Sequence, residues 1–189
     1  LLIMHHSRGF TLIELLVTIT VFFIFTLFAN HNFSHCRKTQ QSYRTSIELQ
    51  HSIHFARAYA ISNRRPLTFC GTLDQQSCAS DWSKGALLFE DGNRNGVIDN
   101  ADRIIKYVPL SLNNAKLRWN GFSGQRLIFE SMGITYASNG TFTYCELDKN
   151  PLYSRQVIVS RGGRARLSKD NNGDGFHEDS NGGIINCPT

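Results

Sequence analysis

The segment Arg161-Gly162-Gly163-Arg164-Ala165-Arg166-Leu167-Ser168-Lys169 places four basic side chains within nine residues. In an extended conformation residues 164–167 alternate, so Arg164 and Arg166 share one face and Ala165 and Leu167 the other. Two guanidinium groups about 6.7 Å apart along a strand form a pair of bidentate phosphate binders on a rigid support. Gly162 and Gly163 let the backbone turn sharply and come close to a ligand. The same residues also read as a solvated edge strand whose charge discourages aggregation. Lys116, Arg118, Arg126 and Arg155 widen the basic patch if they share its face, which one sequence does not reveal. The acidic run from Asp170 to Asp179 weakens the patch if it lies alongside.

A second constellation comprises Asp91, Asn93, Asn95, Gly96, Asp99 and Asp102, at positions one, three, five, six, nine and twelve of a calcium-loop pattern. Asp stands where that pattern has a bidentate Glu, and a strand precedes it instead of a helix. A turn held by Asx side chains accounts for the same residues without an ion. Asp170, Asn172, Asp174, Gly175 and Glu178 form a poorer copy. His51 and His54 lie three apart on a helical stretch, with no third ligand near in sequence. No P-loop and no catalytic set emerges, so the expectation is a protein that is not an enzyme and has no cofactor or metal.

None of the five cysteines forms a C-x-x-C pair, which argues against a zinc ribbon or a thioredoxin-type site. Four of them, Cys70, Cys78, Cys145 and Cys187, fall in the β-rich part, consistent with two disulfides in an oxidising compartment. Of the three pairings open to four cysteines, the expected one is Cys70–Cys78, closing a short loop, with Cys145–Cys187 tying down the C-terminus. Cys36 is left over. The net charge of +5 permits an anionic partner where charge is clustered, without naming one.

Residues 10–29, FTLIELLVTITVFFIFTLFA, carry a single charge. Twenty residues at about 1.5 Å each span roughly the 30 Å of a bilayer's hydrocarbon core. An ordinary secretory signal fits poorly, because the run is long and the small residue Gly9 precedes it instead of following it. Glu14 inside such a run costs about 2.5–3.5 kcal/mol on insertion scales, so it calls for a partner or a task. Gly9-Phe10-Thr11-Leu12-Ile13-Glu14-Leu15 resembles the type III signal of type IV prepilins and type II secretion pseudopilins. The resemblance implies cleavage after Gly9 by a prepilin peptidase and N-methylation of Phe10. It also implies that Glu14 pairs with the terminal amine of a neighbouring subunit during assembly, and a charge met by an ammonium is far less costly than an isolated one.

The elements that must position these residues follow from periodicity. Tyr43, Ile47, Ile53, Ala56 and Ala60 recur at helical steps, and Asn63 and Pro66 end the pattern, predicting one helix from about 10 to 62. Strands are expected near 67–70, 86–90, 104–108, 116–119, 126–129, 141–145, 155–160 and 164–167, separated by turns such as Asp91-Gly92 and Gly162-Gly163. No βαβ rhythm is visible, so the fold expected is an antiparallel α+β domain. Its parts are a leader (1–9), a transmembrane or filament-core helix (10–29), an amphipathic helix (30–63) and a β-rich globular domain (64–189).

The aromatic followed by a D-x-N-x-N-G-x-x-D turn at 89–99, together with the leader and the strand at Cys70-Gly71, is similar to the FimT/GspH family of minor pilins and pseudopilins. That resemblance implies the type IV pilin-like fold, with the long helix packed on two small antiparallel sheets. Gly163-Arg164-Ala165-Arg166 also resembles the GRxR motif of FimT-type pilins that bind DNA in natural transformation. The expectation is thus a minor pilin that holds double-stranded DNA through Arg164, Arg166, Gly163, Arg161, Lys169, Lys116, Arg118 and Arg155. The alternative is a GspH-like pseudopilin of type II secretion with a structural role only. Expected partners are double-stranded DNA, other pilins, a prepilin peptidase and the inner membrane. The expected location is the inner membrane, single-pass with the C-terminal domain in the periplasm, and then the pilus at the cell surface.

Overall fold

The structure, a computed structural model, describes residues 9–187 apart from 111, 113 and 123, and describes the backbone but not the side chains of 27–32. Of the expected leader, 1–9, residues 1–8 lie outside the described residues. The chain divides into two compact units, Leu1–Thr39 and Gln40–Thr189, and each is taken by itself.

A single helix, α1, runs over Leu12–Asn63. Thr11 caps it, its hydroxyl accepting the Glu14 N–H at 3.3 Å, in a Thr-x-x-Glu arrangement that fixes the helix start. In the first unit the described large apolar side chains are exposed: Phe10 is 82% exposed, and Phe22, Phe23 and Phe25 are all 69% exposed. Large apolar groups left in water on this scale require lipid or other protein around them. Among the described residues no helix is long and apolar enough to cross a membrane. The described side chains of the apolar run stop at Thr26, so its expected last residues, 27–29, fall outside them.

In the second unit α1 buries Leu49, Ile53, Ala56 and Ala60, at steps of four, three and four. This corrects the upper part of the stripe read from sequence. Tyr43 is 54% exposed, whereas Ser42 and Ser46 face inward, since small residues let the helix approach closely. Beyond Asn63, Arg64 takes a left-handed φ of 52° and Pro66 prevents continuation.

Eight strands follow: β1 (Leu67–Gly71), β2 (Gly85–Glu90), β3 (Arg103–Pro109), β4 (Ala115–Gly121), β5 (Leu127–Phe129), β6 (Gly140–Glu146), β7 (Arg155–Val159) and β8 (Ala165–Leu167). Each lies where the sequence pattern placed one. They form two antiparallel sheets, in the orders β3-β2-β1-β5 and β4-β6-β7-β8. Both sheets and α1 share one core, centred on Phe69, Trp82 and Phe142. The Trp82 and Phe142 rings meet edge to face at 4.8 Å. The lower end of α1 is fastened by the Tyr59 hydroxyl, which donates to Glu90 at 2.9 Å, a carboxylate that also accepts from Arg103. Both expected disulfides are present, Cys70–Cys78 and Cys145–Cys187, and Cys36 is a free, exposed thiol.

Candidate functional site

The basic segment forms the last hairpin of the second sheet. Ser160 N–H donates to the Arg164 carbonyl at 3.0 Å, and Gly163 N–H returns to the Ser160 carbonyl at 2.8 Å, closing the turn between β7 and β8. Gly163 has φ +73°, and a Cβ there would run into the Gly133 carbonyl oxygen. Glycine is therefore required twice, by conformation and by space. Arg57 of α1 donates from Nε to the Gly162 carbonyl at 3.1 Å. Gln50 Nε2 donates to the Ala165 carbonyl at 3.2 Å, and His54 Nε2 lies at the same distance. Three helix side chains thus hold the hairpin against α1, and His54 serves the backbone of β8 rather than a metal.

On this support Ala165 is buried at 7% exposure, while Arg164 and Arg166 are exposed, as the alternation required. Arg161, Arg164, Arg166 and Lys169 are all exposed and make no side-chain hydrogen bond or ion pair among the described residues. Arg166 stands opposite Ile158, Ile158 opposite Thr141, and Thr141 opposite Asn120. Partners across an antiparallel ladder share a face. Arg118 is opposite Thr143 and Lys116 opposite Cys145, so both lie on the same outer face as Arg166. They sit on the far edge strand, three strand spacings or about 14 Å across the sheet, and are offset along it by two and four residues from Asn120, the position in row with Arg166.

Arg155 is not brought to this face. It stands opposite buried Tyr144, and its guanidinium donates to the Leu152 and Ser154 carbonyls at 3.0 and 2.8 Å. Burial lowers its pKa, with nearby Asp170 acting the other way. Arg126 is also elsewhere, donating to the Asn95 carbonyl at 2.8 Å and covering Gly96. Arg57 is the cation that the sequence reading missed. It lies far from the hairpin in the chain, and no local pattern links the two. The acidic run does lie alongside: Glu178 and Asp179 line a cleft of about 500 Å³ with Arg166 and Lys169.

The Asp91 loop consumes its own oxygens. Asp91, fully buried, accepts the Thr68 hydroxyl at 2.7 Å, the Gly96 N–H at 2.8 Å and the Asn95 N–H at 3.1 Å. Asp99 accepts from Ala101 N–H and from the Asn93 amide, which hold its carboxyl below the usual range. Asp102 caps the Asp99 N–H at 3.1 Å. In the second loop Asp170 accepts from the Gly173 and Gly175 N–H groups, and Glu178 is bound to Asn171. Among the described residues no group of three or more His, Cys, Asp or Glu is arranged to hold a metal ion.

At the other end of the chain, Gly9 and Phe10 are exposed ahead of the helix, and Glu14 is exposed in its first turn. A prokaryotic N-terminal methylation motif matches residues 4–30, and the family described as type II transport protein GspH matches residues 46–163. The latter match ends at Gly163, just before Arg164 and Arg166. No curated protein matches the chain. Among solved structures the chain is similar to the type IV minor pilin FimU of Pseudomonas aeruginosa in two crystal forms. One form is 19% identical with a TM-score of 0.50, covering 72% of this chain and 92% of that one. The other is 21% identical with a TM-score of 0.51, covering 67% and 92%. At these identities the likeness is one of fold, here the type IV pilin fold of one long helix followed by two antiparallel sheets. The chain belongs to the GspH family, a minor pilin or pseudopilin that associates with other pilins and undergoes prepilin processing, and a structural subunit rather than an enzyme.

Proposed function

We propose that this chain is a minor type IV pilin that binds extracellular double-stranded DNA through its phosphates for uptake in natural transformation. The supporting observation is a set of exposed cations without partners, Arg161, Arg164, Arg166 and Lys169, on a hairpin anchored to α1. Arg164 and Arg166 grip successive phosphates, and Lys116 and Arg118 extend the attraction across the outer face. Contacts of this kind read no base sequence and weaken steeply with salt. Repetition along a filament raises a weak single-site affinity. In the same proposal the chain is cut after Gly9, Phe10 becomes the methylated first residue, and Glu14 meets a neighbour's amine. Residues 10–29 hold the subunit in the inner membrane with its second unit in the periplasm, and later in the pilus core.

Anisotropy titrations of full-length protein in detergent micelles with a labelled duplex provide the test. The Arg164→Gln, Arg166→Gln double variant is expected to lose about two units from the salt slope, at about 0.9 per phosphate contact, and most of its affinity. Parent-like binding by the double variant sinks the proposal. The matching family's description, type II transport protein GspH, is equally met by a second reading, a type II secretion pseudopilin with a structural role only. That reading expects no DNA binding by the parent at physiological salt.

A further inference from the structure

Next to the cationic hairpin, an aromatic residue is held in an unfavourable backbone conformation. Tyr136 has φ +45°, a region where bulky side chains are outliers. Its ring is 70% exposed and makes no hydrogen bond or ring contact among the described residues. Such strain persists only where the surroundings impose it, and it concentrates at ligand clamps. Here Thr135, 1% exposed, imposes it. Its N–H donates to the Arg161 carbonyl at 2.9 Å and its hydroxyl to the Ser160 carbonyl at 3.0 Å. Ser138 N–H then closes a turn onto the Thr135 carbonyl at 2.7 Å, with Tyr136 at its exposed tip. The loop is bolted to the hairpin, and Tyr136 and Arg161 face a common cleft of about 420 Å³, completed by Ile134 and Gly162. This volume falls within the roughly 300–1,000 Å³ of small-molecule sites.

We infer that the cleft takes one unstacked base from a single-stranded stretch of DNA, stacked on Tyr136 with its flanking phosphate on Arg161. The inference rests on the DNA-binding reading above and adds a preference for frayed or single-stranded ends. An exposed aromatic face accepts any base, since every base has a π face. A guanidinium beside it supplies the phosphate contact, and Gly162 lets the sugar approach the backbone. Arg164 and Arg166, unpaired on the same hairpin, continue the cationic path away from the cleft. A base inside a duplex must first be unstacked and unpaired before it can enter, whereas an end or a gap delivers one without that cost.

The test titrates full-length protein in detergent with three labelled probes: a blunt duplex, the same duplex with a single-stranded overhang, and that duplex with an abasic overhang. The overhang is expected to bind about ten-fold tighter than the blunt duplex, within the range that one stacked base supplies. The abasic overhang, which keeps the phosphates, should lose most of that gain. Tyr136→Ala should bind all three probes as the parent binds the blunt one, and Tyr136→Phe should restore the preference. Equal binding of overhang and blunt duplex by the parent, or an undiminished preference in Tyr136→Ala, overturns the inference while leaving duplex binding intact. Failure of the parent to bind any probe overturns both readings. The abasic probe needs no variant, so the inference stays testable if Tyr136→Ala misfolds.

Discussion

At the scale of single residues, His177 carries the clearest pH signature. Burial, reinforced by the Arg155 guanidinium, holds its imidazole below the ordinary 6.5, while the Ser168 contact, Asp170 and Glu178 oppose the shift. The unfolded chain therefore takes up this proton first as the pH falls. Stability from His177 is complete above about pH 6.5 and declines from there toward the lower folded value. Melting temperatures measured from neutral to mildly acidic pH should fall for the parent and stay flatter for His177→Gln. The window lies above the carboxylate range, so Asp74, Asp99 and Asp170, whose pKa values are lowered by their hydrogen bonds, do not obscure it. Gly163 illustrates a different residue-scale lesson. The sequence suggested a glycine for approach to a ligand, but the structure uses it to pass the Gly133 carbonyl. Its place in the motif thus has a packing cause whatever the hairpin binds.

Among the elements, the loop after β2 and the sheet that carries β8 were legible to different degrees. The Asp91 loop has a composition shared by calcium sites and Asx turns, and only its hydrogen bonds favour the turn. Asp91→Ala strips the Thr68 hydroxyl and two N–H groups of a buried acceptor, a loss of about 3 kcal/mol or more in urea denaturation. Added calcium should leave the parent's melting temperature unmoved. Strand positions were readable because period-two patterns and turn residues are local. Register was not local. That Lys116 and Arg118 share the face of Arg166, while Arg155 points to the opposite one, depends on pairings between strands far apart in the chain. Arg57 and Gln50 stayed invisible for the same reason, each reaching over a hundred residues along the chain to the hairpin.

For the whole molecule, two crosslinks close loops of very different length. Cys145–Cys187 spans 42 residues and Cys70–Cys78 spans 8, so in the chain-entropy model they contribute about 4 and about 2.5 kcal/mol respectively. A Cys145→Ser, Cys187→Ser variant should lose more stability than Cys70→Ser, Cys78→Ser, as read by denaturant midpoints under non-reducing conditions. The family and fold were legible from the leader motif and from the aromatic and D-x-N-x-N-G-x-x-D turn at 89–99. The apolar run was legible as a run, but what surrounds it is supplied by other molecules. The helix side chains that satisfy the Ala165 carbonyl have one more effect. They take up the Ala165 carbonyl of β8, an edge strand of the second sheet, so that this acceptor is not open to a strand added from another copy. Misassembly by strand addition at this edge is thereby discouraged.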